Sequence, residues 1–494
     1  MRYLTGEVVL LALVLLPALG GGLAYLLRSA LLRSIVLLLV ALLHTALVAL
    51  TWMRPGASVA GGWLVVDSLG QVVLTLVSVL FLAVAQYAVG YLRADSAPRA
   101  RGGRAFVSCM LAFLAAATLV TVSHHLALLW IGMETTTLAV APLIFDRRDR
   151  RSLEAVWKYL VLSSVGIALA LLGVFLLATA QPVGVEGGRP LVLEDMIAHA
   201  RALDPAWLRA GFVFIAIGFG TKMGLAPMHS WKPDTYGEAP SFIGGLMAGA
   251  LTSCAFLGLA RVSSICFAAG LDAFVRPVLL GFGLVSLVIA AAFIVGQSDL
   301  RRLLAYSSVE HMGLLVLGLG LGGMGAYGAA LHTLNNGLAK GLLFLAVGNV
   351  VLVQGTSAAS SIRGLVRTMP ATGVLLVVGL FAVTGSPPFG LFLSELTIFT
   401  AAFSTGHWLI ATAVVLLLIV IFIGIAAMIL GLVYGPPTPL PHHTGETRRH
   451  GDHVWLVVAP AVLATLVLML GVYIPPPLAS ALARAATALG GHAP

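Results

Sequence analysis

Apolar runs of about twenty residues recur from one end of this chain to the other, separated by short polar stretches. Each is long enough to cross about 30 Å of hydrocarbon as a helix. Fourteen such runs can be marked, near 5–27, 34–53, 70–92, 106–122, 124–145, 157–180, 211–229, 241–260, 277–296, 303–321, 325–354, 371–402, 409–434 and 454–475. The first is read as a span and not as a leader peptide. Proline interrupts two of them, the seventh at Pro227 and the twelfth at Pro387 and Pro388. The eleventh and twelfth are too long for a simple crossing, so they should tilt, bend or break.

The interruptions suggest a repeat. Helices four to eight and nine to thirteen are five each, and the fourth member of each set is the broken one. A shift of five helices inverts the direction of crossing, so the halves form an inverted repeat. Interrupted segments in corresponding places of two halves point to an ion path. The pattern therefore predicts an all-α polytopic membrane protein. Three helices lie in 1–105, a first five-helix repeat in 106–262, a second in 275–434, and a loop with helix fourteen in 435–494.

Composition agrees with this class: 60% of residues are hydrophobic, 10% are charged, and mean hydropathy is +1.04. The net charge of +9 resides in loops between spans, so it gives no argument for nucleic acid. Arginine and lysine are distributed unevenly between the two sets of loops. One set holds 18, namely Arg28, Arg33, Arg93, Arg99, Arg101, Arg104, Arg147, Arg148, Arg150, Arg151, Lys158, Lys232, Arg301, Arg302, Arg363, Arg367, Arg448 and Arg449. The other holds eight, namely Arg2, Arg54, Arg189, Arg201, Arg209, Arg261, Arg276 and Arg484. The positive-inside rule then puts the richer set in the cytoplasm and both termini outside. Of the 28 basic residues, this count leaves Lys222 and Lys340 inside spans.

A charge at mid-bilayer costs at least about 2.5–3.5 kcal/mol and normally marks a pathway or a partner. The candidates are Glu134, Lys222, Lys340, Glu395, Glu310, His311 and His332. A structural ion pair is the plain alternative for any two of them, but buried pairs stabilise poorly, and these groups recur along several spans. His332, Asn336 and Lys340 are spaced i, i+4, i+8 and so share one helix face. Lysine can exchange its proton where arginine, charged at all ordinary pH, cannot. Cys109, Cys254 and Cys266 lack metal or disulfide spacing and read as structural thiols. No iron–sulfur, haem or dinucleotide motif is present. His442, His443, His450 and His453 lie beside Arg448 and Arg449 in a polar loop, read as solvated.

The segments WKYLVLSSVG, GFGTKMGLAPMHSWKPD, EAPS, RRLLAYSSVEHMGL, LHTLNNGLAKGLLF and GSPPFGLFLSE together resemble the antiporter-like subunits of respiratory complex I and Mrp antiporters. The nearest branch is the F component of hydrogenase-4 and formate hydrogenlyase. The resemblance implies a proton path. Glu134 and Lys222 would be its fifth- and seventh-helix pair, Lys340 its central lysine and Glu395 its far end. His311 and His332 match family histidines, while Glu310, Ser253, Asn336 and Lys158 are candidates to line the path. The sequence departs from the family at Ser253, often lysine or histidine, and at Asn336, elsewhere histidine. The long lateral helix of the largest such subunits is missing.

On this reading the chain translocates protons for a hydrogenase-4-like or complex I-like redox complex in a bacterial or archaeal cytoplasmic membrane. It carries no cofactor, metal or catalytic centre. A [NiFe] centre and iron–sulfur clusters would belong to partner subunits: other membrane subunits and a peripheral hydrogenase or dehydrogenase arm. Rival readings are an Mrp-type cation/proton antiporter subunit, a membrane partner in inorganic-carbon uptake, or a scaffold that no longer conducts.

Overall fold

The computed structural model describes residues 6–53, 56–94, 103–182, 191–436 and 452–490. His442, His443, His450, Arg448, Arg449 and the loop arginines Arg2, Arg54, Arg99, Arg101 and Arg189 lie outside these residues. Among the described residues, twelve helices are long and apolar enough to cross a membrane. The two further spans expected from the sequence are the broken ones.

The chain opens with α1 (Gly6–Leu26), α2 (Ala30–Met53) and α3 (Ser68–Ala94), the last two separated by a two-residue hairpin, β1 (Ser58–Val59) with β2 (Leu64–Val65). The first repeat follows: α4 (Arg104–Val122), α5 (Leu126–Ile144) and α6 (Arg150–Thr179), then a short surface helix α7 (Leu193–Ala198). Its broken member consists of α8 (Pro205–Met223) and α9 (Trp231–Glu238). Its fifth member begins as α10 (Ser241–Leu246), passes through one π-helical turn at Met247–Leu251, and continues as α11 (Thr252–Ala268).

The second repeat comprises α12 (Asp272–Ile294), α13 (Leu300–Leu321), α14 (Met324–Gln354), a single turn α15 (Leu365–Thr368), the broken pair α16 (Pro370–Val383) and α17 (Gly390–Ser404), and α18 (Trp408–Tyr434). The last span is α19 (Val454–Val472). A further helix, α20 (Pro476–Ala488), had no counterpart among the expected spans; it packs across α3 and α14. At 1.5 Å per residue α14 is about 46 Å long, and it runs without a break. The twelfth span breaks as expected.

Burial is arranged for lipid outside and polar groups within. Leu19, Leu26, Leu409, Leu416, Ile423 and Val454 on the peripheral helices expose their side chains, as a hydrocarbon solvent permits. The inner helices α10, α11, α13 and α14 are buried almost throughout and carry the polar side chains. Close helix approach depends on glycine, for example where Gly166 meets Gly218 and Gly283 meets Gly313.

Both breaks are built alike. Gly224 ends α8 in the left-handed region at φ +70°, and the Leu225 N–H reaches back 2.8 Å to the Gly220 carbonyl. Gly385 follows α16 at φ +60°, and the Ser386 N–H reaches back 3.0 Å to the Phe381 carbonyl. This is the Schellman closure, which returns orphan carbonyls to backbone donors and needs φ > 0. The prolines follow within three residues, and the Ala226–Pro227 and Pro387–Pro388 bonds are cis. Neighbouring helices and the returning half-helix take up part of the remaining open backbone. Ser286 Oγ accepts from Ala226 N at 3.0 Å, Trp231 Nε1 donates to the Thr221 carbonyl at 2.8 Å, and Asn335 Nδ2 donates to the Gly390 carbonyl at 2.8 Å. Open backbone at membrane depth persists only with such partners.

The structure corrects the count of basic residues inside the protein. Lys232, assigned from the sequence to a cytoplasmic loop, is fully buried. The span does not end at Pro227; it resumes as the eight-residue α9, too short and too polar to register as an apolar run. Arg261 and Arg301, assigned to loops, are likewise buried. Arg261 donates to Asp67 Oδ1 at 2.5 Å and to the Val120, Thr121 and Ser123 carbonyls, closing the end of α4.

Candidate functional site

The candidate ionisable groups gather in three clusters, apart from buried His44 and the Arg261–Asp67–His124 group. The first joins α5, α6 and α8. Lys222 Nζ donates to Thr137 Oγ1, and Thr137 Oγ1 donates to Glu134 Oε2 at 3.2 Å. Thr137 follows Glu134 by three residues, so helix geometry places carboxylate and hydroxyl on one face. The expected Glu134–Lys222 pair is therefore bridged by a hydroxyl. Lys222 is fully buried, Glu134 half-buried. The ammonium also stands 5.4 Å from the centroid of the Tyr159 ring, a cation–π contact.

The second cluster joins α9, α13 and α14. Lys232 Nζ donates to Ser308 Oγ at 3.0 Å. Ser307, the adjacent residue, accepts from Lys340 Nζ at 2.7 Å and donates to Glu310 Oε2 at 3.2 Å. Adjacent serines on α13 thus each hold a lysine, Ser308 that of the first repeat and Ser307 that of the second. All five side chains are buried.

Local structure fixes Lys232. A Cβ on Gly224 would overlap the Lys232 Cδ and Cε, so the glycine that closes α8 also makes room for the lysine stem. Two residues further on, Asp234 accepts from Lys158 Nζ at 2.8 Å and from the Arg302 guanidinium at 2.7 Å, anchoring α9 to α6 and α13. Lys158 is thus at the surface, 44% exposed, and paired also with Glu154. It is not among the buried groups that the sequence reading expected it to join, because its side chain projects from the outer face of α6.

The third cluster joins α13, α14 and α17. His311 Nδ1 and His332 Nε2 are 3.1 Å apart, and His332 Nδ1 lies 2.9 Å from Ser394 Oγ. Glu395 is buried beside them, and a Cβ on Gly385 would overlap its carboxylate. Asn336 lies between His332 and Lys340 on α14, buried, with neither side-chain nitrogen nor oxygen hydrogen-bonded. Ser253 is buried on α11, but its hydroxyl donates to the Gly249 carbonyl at 2.6 Å and joins no cluster.

Sequence reasoning missed Lys232, Thr137, Ser307, Ser308, Tyr159 and Ser394. Ser307 and Ser308 stand three and two residues before Glu310, a spacing that could have pointed to them. Lys232 had a subtler signal, its place on the short return helix that follows a glycine–proline break.

Fourteen spans around a buried array of lysine, glutamate and histidine define a polytopic membrane protein of the ion-translocating type. Comparison with known proteins makes this specific. Residues 123–422 match the family described as NADH:quinone oxidoreductase/Mrp antiporter, transmembrane, and the chain belongs to that family. It is 33% identical over 425 residues to the hydrogenase-4 component F homolog of Methylacidiphilum infernorum, covering 84% of this chain and 86% of that protein. A chain of the Mrp complex from Dietzia sp. DQ12-45-1b superposes with a TM-score of 0.86 at 21% identity, covering 99% of this chain and 98% of the other. A chain of respiratory complex I from Thermus thermophilus, with bound aureothin, superposes at 0.73 and 26% identity, covering 94% and 96%.

Proposed function

We propose that this chain is the proton-translocating membrane subunit of a multisubunit redox complex of the hydrogenase-4 or complex I type. Electron transfer in partner subunits supplies the energy. The [NiFe] centre and iron–sulfur clusters belong to those partners, as does the peripheral arm, and the complex resides in a bacterial or archaeal cytoplasmic membrane with both termini of this chain outside.

The observation that carries the reading is the pair of serines joining the two repeats, through which Lys232 and Lys340 share one stretch of α13. A lysine desolvated inside protein and paired with a carboxylate through a hydroxyl is poised between charged and neutral forms. A change of charge at Glu134–Thr137–Lys222 alters the cost of a proton on Lys232, and the charge on Lys232 in turn alters it on Lys340. Unpaired buried polar atoms recur along the same route: the Tyr159 and Tyr236 hydroxyls, both polar atoms of the Asn336 side chain, His311 Nε2 and Glu395 Oε1. Each would cost about 1–3 kcal/mol if left dry, so they are natural partners for mobile water that completes the proton path.

The test uses vesicles containing the whole complex. Glu134→Gln and Lys222→Met should each abolish proton uptake per electron transferred while the complex assembles on a native gel. Wild-type coupling in either variant would make the pair a structural staple and defeat the reading. Cation exchange without any redox partner would favour an antiporter instead.

A further inference from the structure

The third cluster has a hydrogen-bond polarity that the proton path alone does not explain. Ser394 Oγ donates to the Leu391 carbonyl at 2.9 Å, so toward His332 Nδ1 it can only accept. That places the His332 proton on Nδ1 and leaves Nε2 as a lone pair. Nε2 then accepts from His311 Nδ1, which leaves His311 Nε2 a lone pair too. His311 Nε2 and Glu395 Oε1 are both buried without a hydrogen-bond partner. With Glu395 ionised the chain of hydrogen bonds ends in acceptors held in protein interior, and either a proton on the carboxyl or a bound cation completes such a set.

We propose that His311, His332 and Glu395 form a binding site for a divalent transition-metal ion of the Zn2+ class. One donor atom from each of the three buried residues lies within 4.8 Å of the others. Binding shifts the His311 proton from Nδ1 to Nε2, so that Nδ1 and His332 Nε2, 3.1 Å apart, offer lone pairs close to the edge of a tetrahedron with bonds of about 2.0–2.1 Å, roughly 3.3 Å. A ring rotation turns both lone pairs onto a common ion. Ser394 engages the far nitrogen of His332, the support that ligating imidazoles normally have. Two imidazoles and a carboxylate suit Zn2+ or Co2+ and not the hard ions Na+ and Mg2+. Three protein ligands leave a fourth position open.

Occupation has a consequence. Lys340 stands two turns along the same α14 face, and a divalent ion at His332 opposes its protonation while occupying the lone pairs a proton would use. The ion therefore closes the second half of the route. This closing rests on the proton-path reading above; the binding does not.

The experiment takes the full chain in its complex, stripped with chelator, with His442, His443, His450 and His453 changed to alanine so that loop imidazoles cannot compete. The probe is Co2+, followed by visible absorption and equilibrium dialysis. One Co2+ per chain with tetrahedral-type bands, displaced by Zn2+, is expected. His332→Gln and Glu395→Gln should each weaken binding at least tenfold, and the milder Ser394→Ala about tenfold, all with assembly unchanged on a native gel. Absence of the Co2+ bands, or equal affinity in all three variants, would overturn the site. Zn2+ should also block proton flux in reconstituted vesicles at the concentration that fills the site. Binding at the triad with flux untouched would leave the site standing and remove this cluster from the proton route.

Discussion

The two helix breaks use the same device for opposite charges. In each, a glycine at positive φ closes the first half-helix, proline follows, and the returning half-helix carries an ionisable side chain into the space where the glycine has no Cβ. At the first break that side chain is Lys232; at the second it is Glu395. The geometry thus makes Lys232 the counterpart of Glu395. Their surroundings differ. Lys232 is fully buried and faces the serines that join the repeats, while Glu395 keeps 8% of its surface exposed and stands beside two histidines at the far end of the array. One break holds a group that links the halves, and the other holds a group at the terminus.

Breaking the device should have the largest effect. Gly224→Val forces a β-branched residue to φ +70°, costing roughly 1–3 kcal/mol, and pushes the Lys232 stem aside. Gly385→Val does the same to Glu395. Both should reduce assembled complex on a native gel and abolish pumping in whatever remains. Normal coupling in either would mean that the break glycine does not position the charge.

Removing the charge alone separates the two breaks further. Lys232→Met should leave assembly intact and lower protons pumped per electron at least tenfold, because among the described residues the other lysines of the first repeat, Lys158 and Lys222, hydrogen-bond elsewhere. Unchanged pumping would show that the link between halves runs elsewhere.

The hydroxyl bridges offer a finer comparison. Ser307→Ala and Thr137→Ala each remove the hydroxyl between a lysine and a glutamate. Ser307→Ala should be the more harmful, since Glu310 is buried within this chain while Glu134 is only half-buried and its other side is open to a neighbouring subunit. Pumping per electron should follow the order wild type, Thr137→Ala, Ser307→Ala; the reverse order would contradict a fully enclosed second cluster. The smallest effect is expected at Lys158, whose exposed ion pairs are worth at most about 1 kcal/mol. Lys158→Met should leave coupling unchanged and shift thermal stability only slightly, as measured by melting of the purified complex.

These contrasts also show what the sequence could and could not reveal. Glu134, Lys222, Lys340 and Glu395 stood out because a charge inside a long apolar run is expensive and therefore conspicuous. The breaks stood out because proline ends a helix wherever it falls. Lys232 was hidden because α9 reads as polar turn: eight residues with proline, aspartate and lysine cannot raise an average hydropathy. Ser307 and Ser308 were hidden because serine is common in apolar helices, and only the tertiary fold shows which hydroxyl faces a lysine. Lys158 erred the other way. It was a candidate to line the path, yet its side chain is 44% exposed and held in surface ion pairs. Ser253 was suggested by its position in the family, but its hydroxyl is engaged by its own helix.

The most direct test of the account concerns Lys340, the lysine that Ser307 joins to Glu310. If it passes protons, it must release one in every cycle, and Lys340→Arg keeps the charge on a group that does not give up its proton. Protons pumped per electron should be measured for Lys340→Arg and Lys340→Ala in vesicles holding the assembled complex. The account predicts that both fail, arginine included. Pumping at the wild-type ratio with arginine would mean that Lys340 holds the structure together and carries no proton.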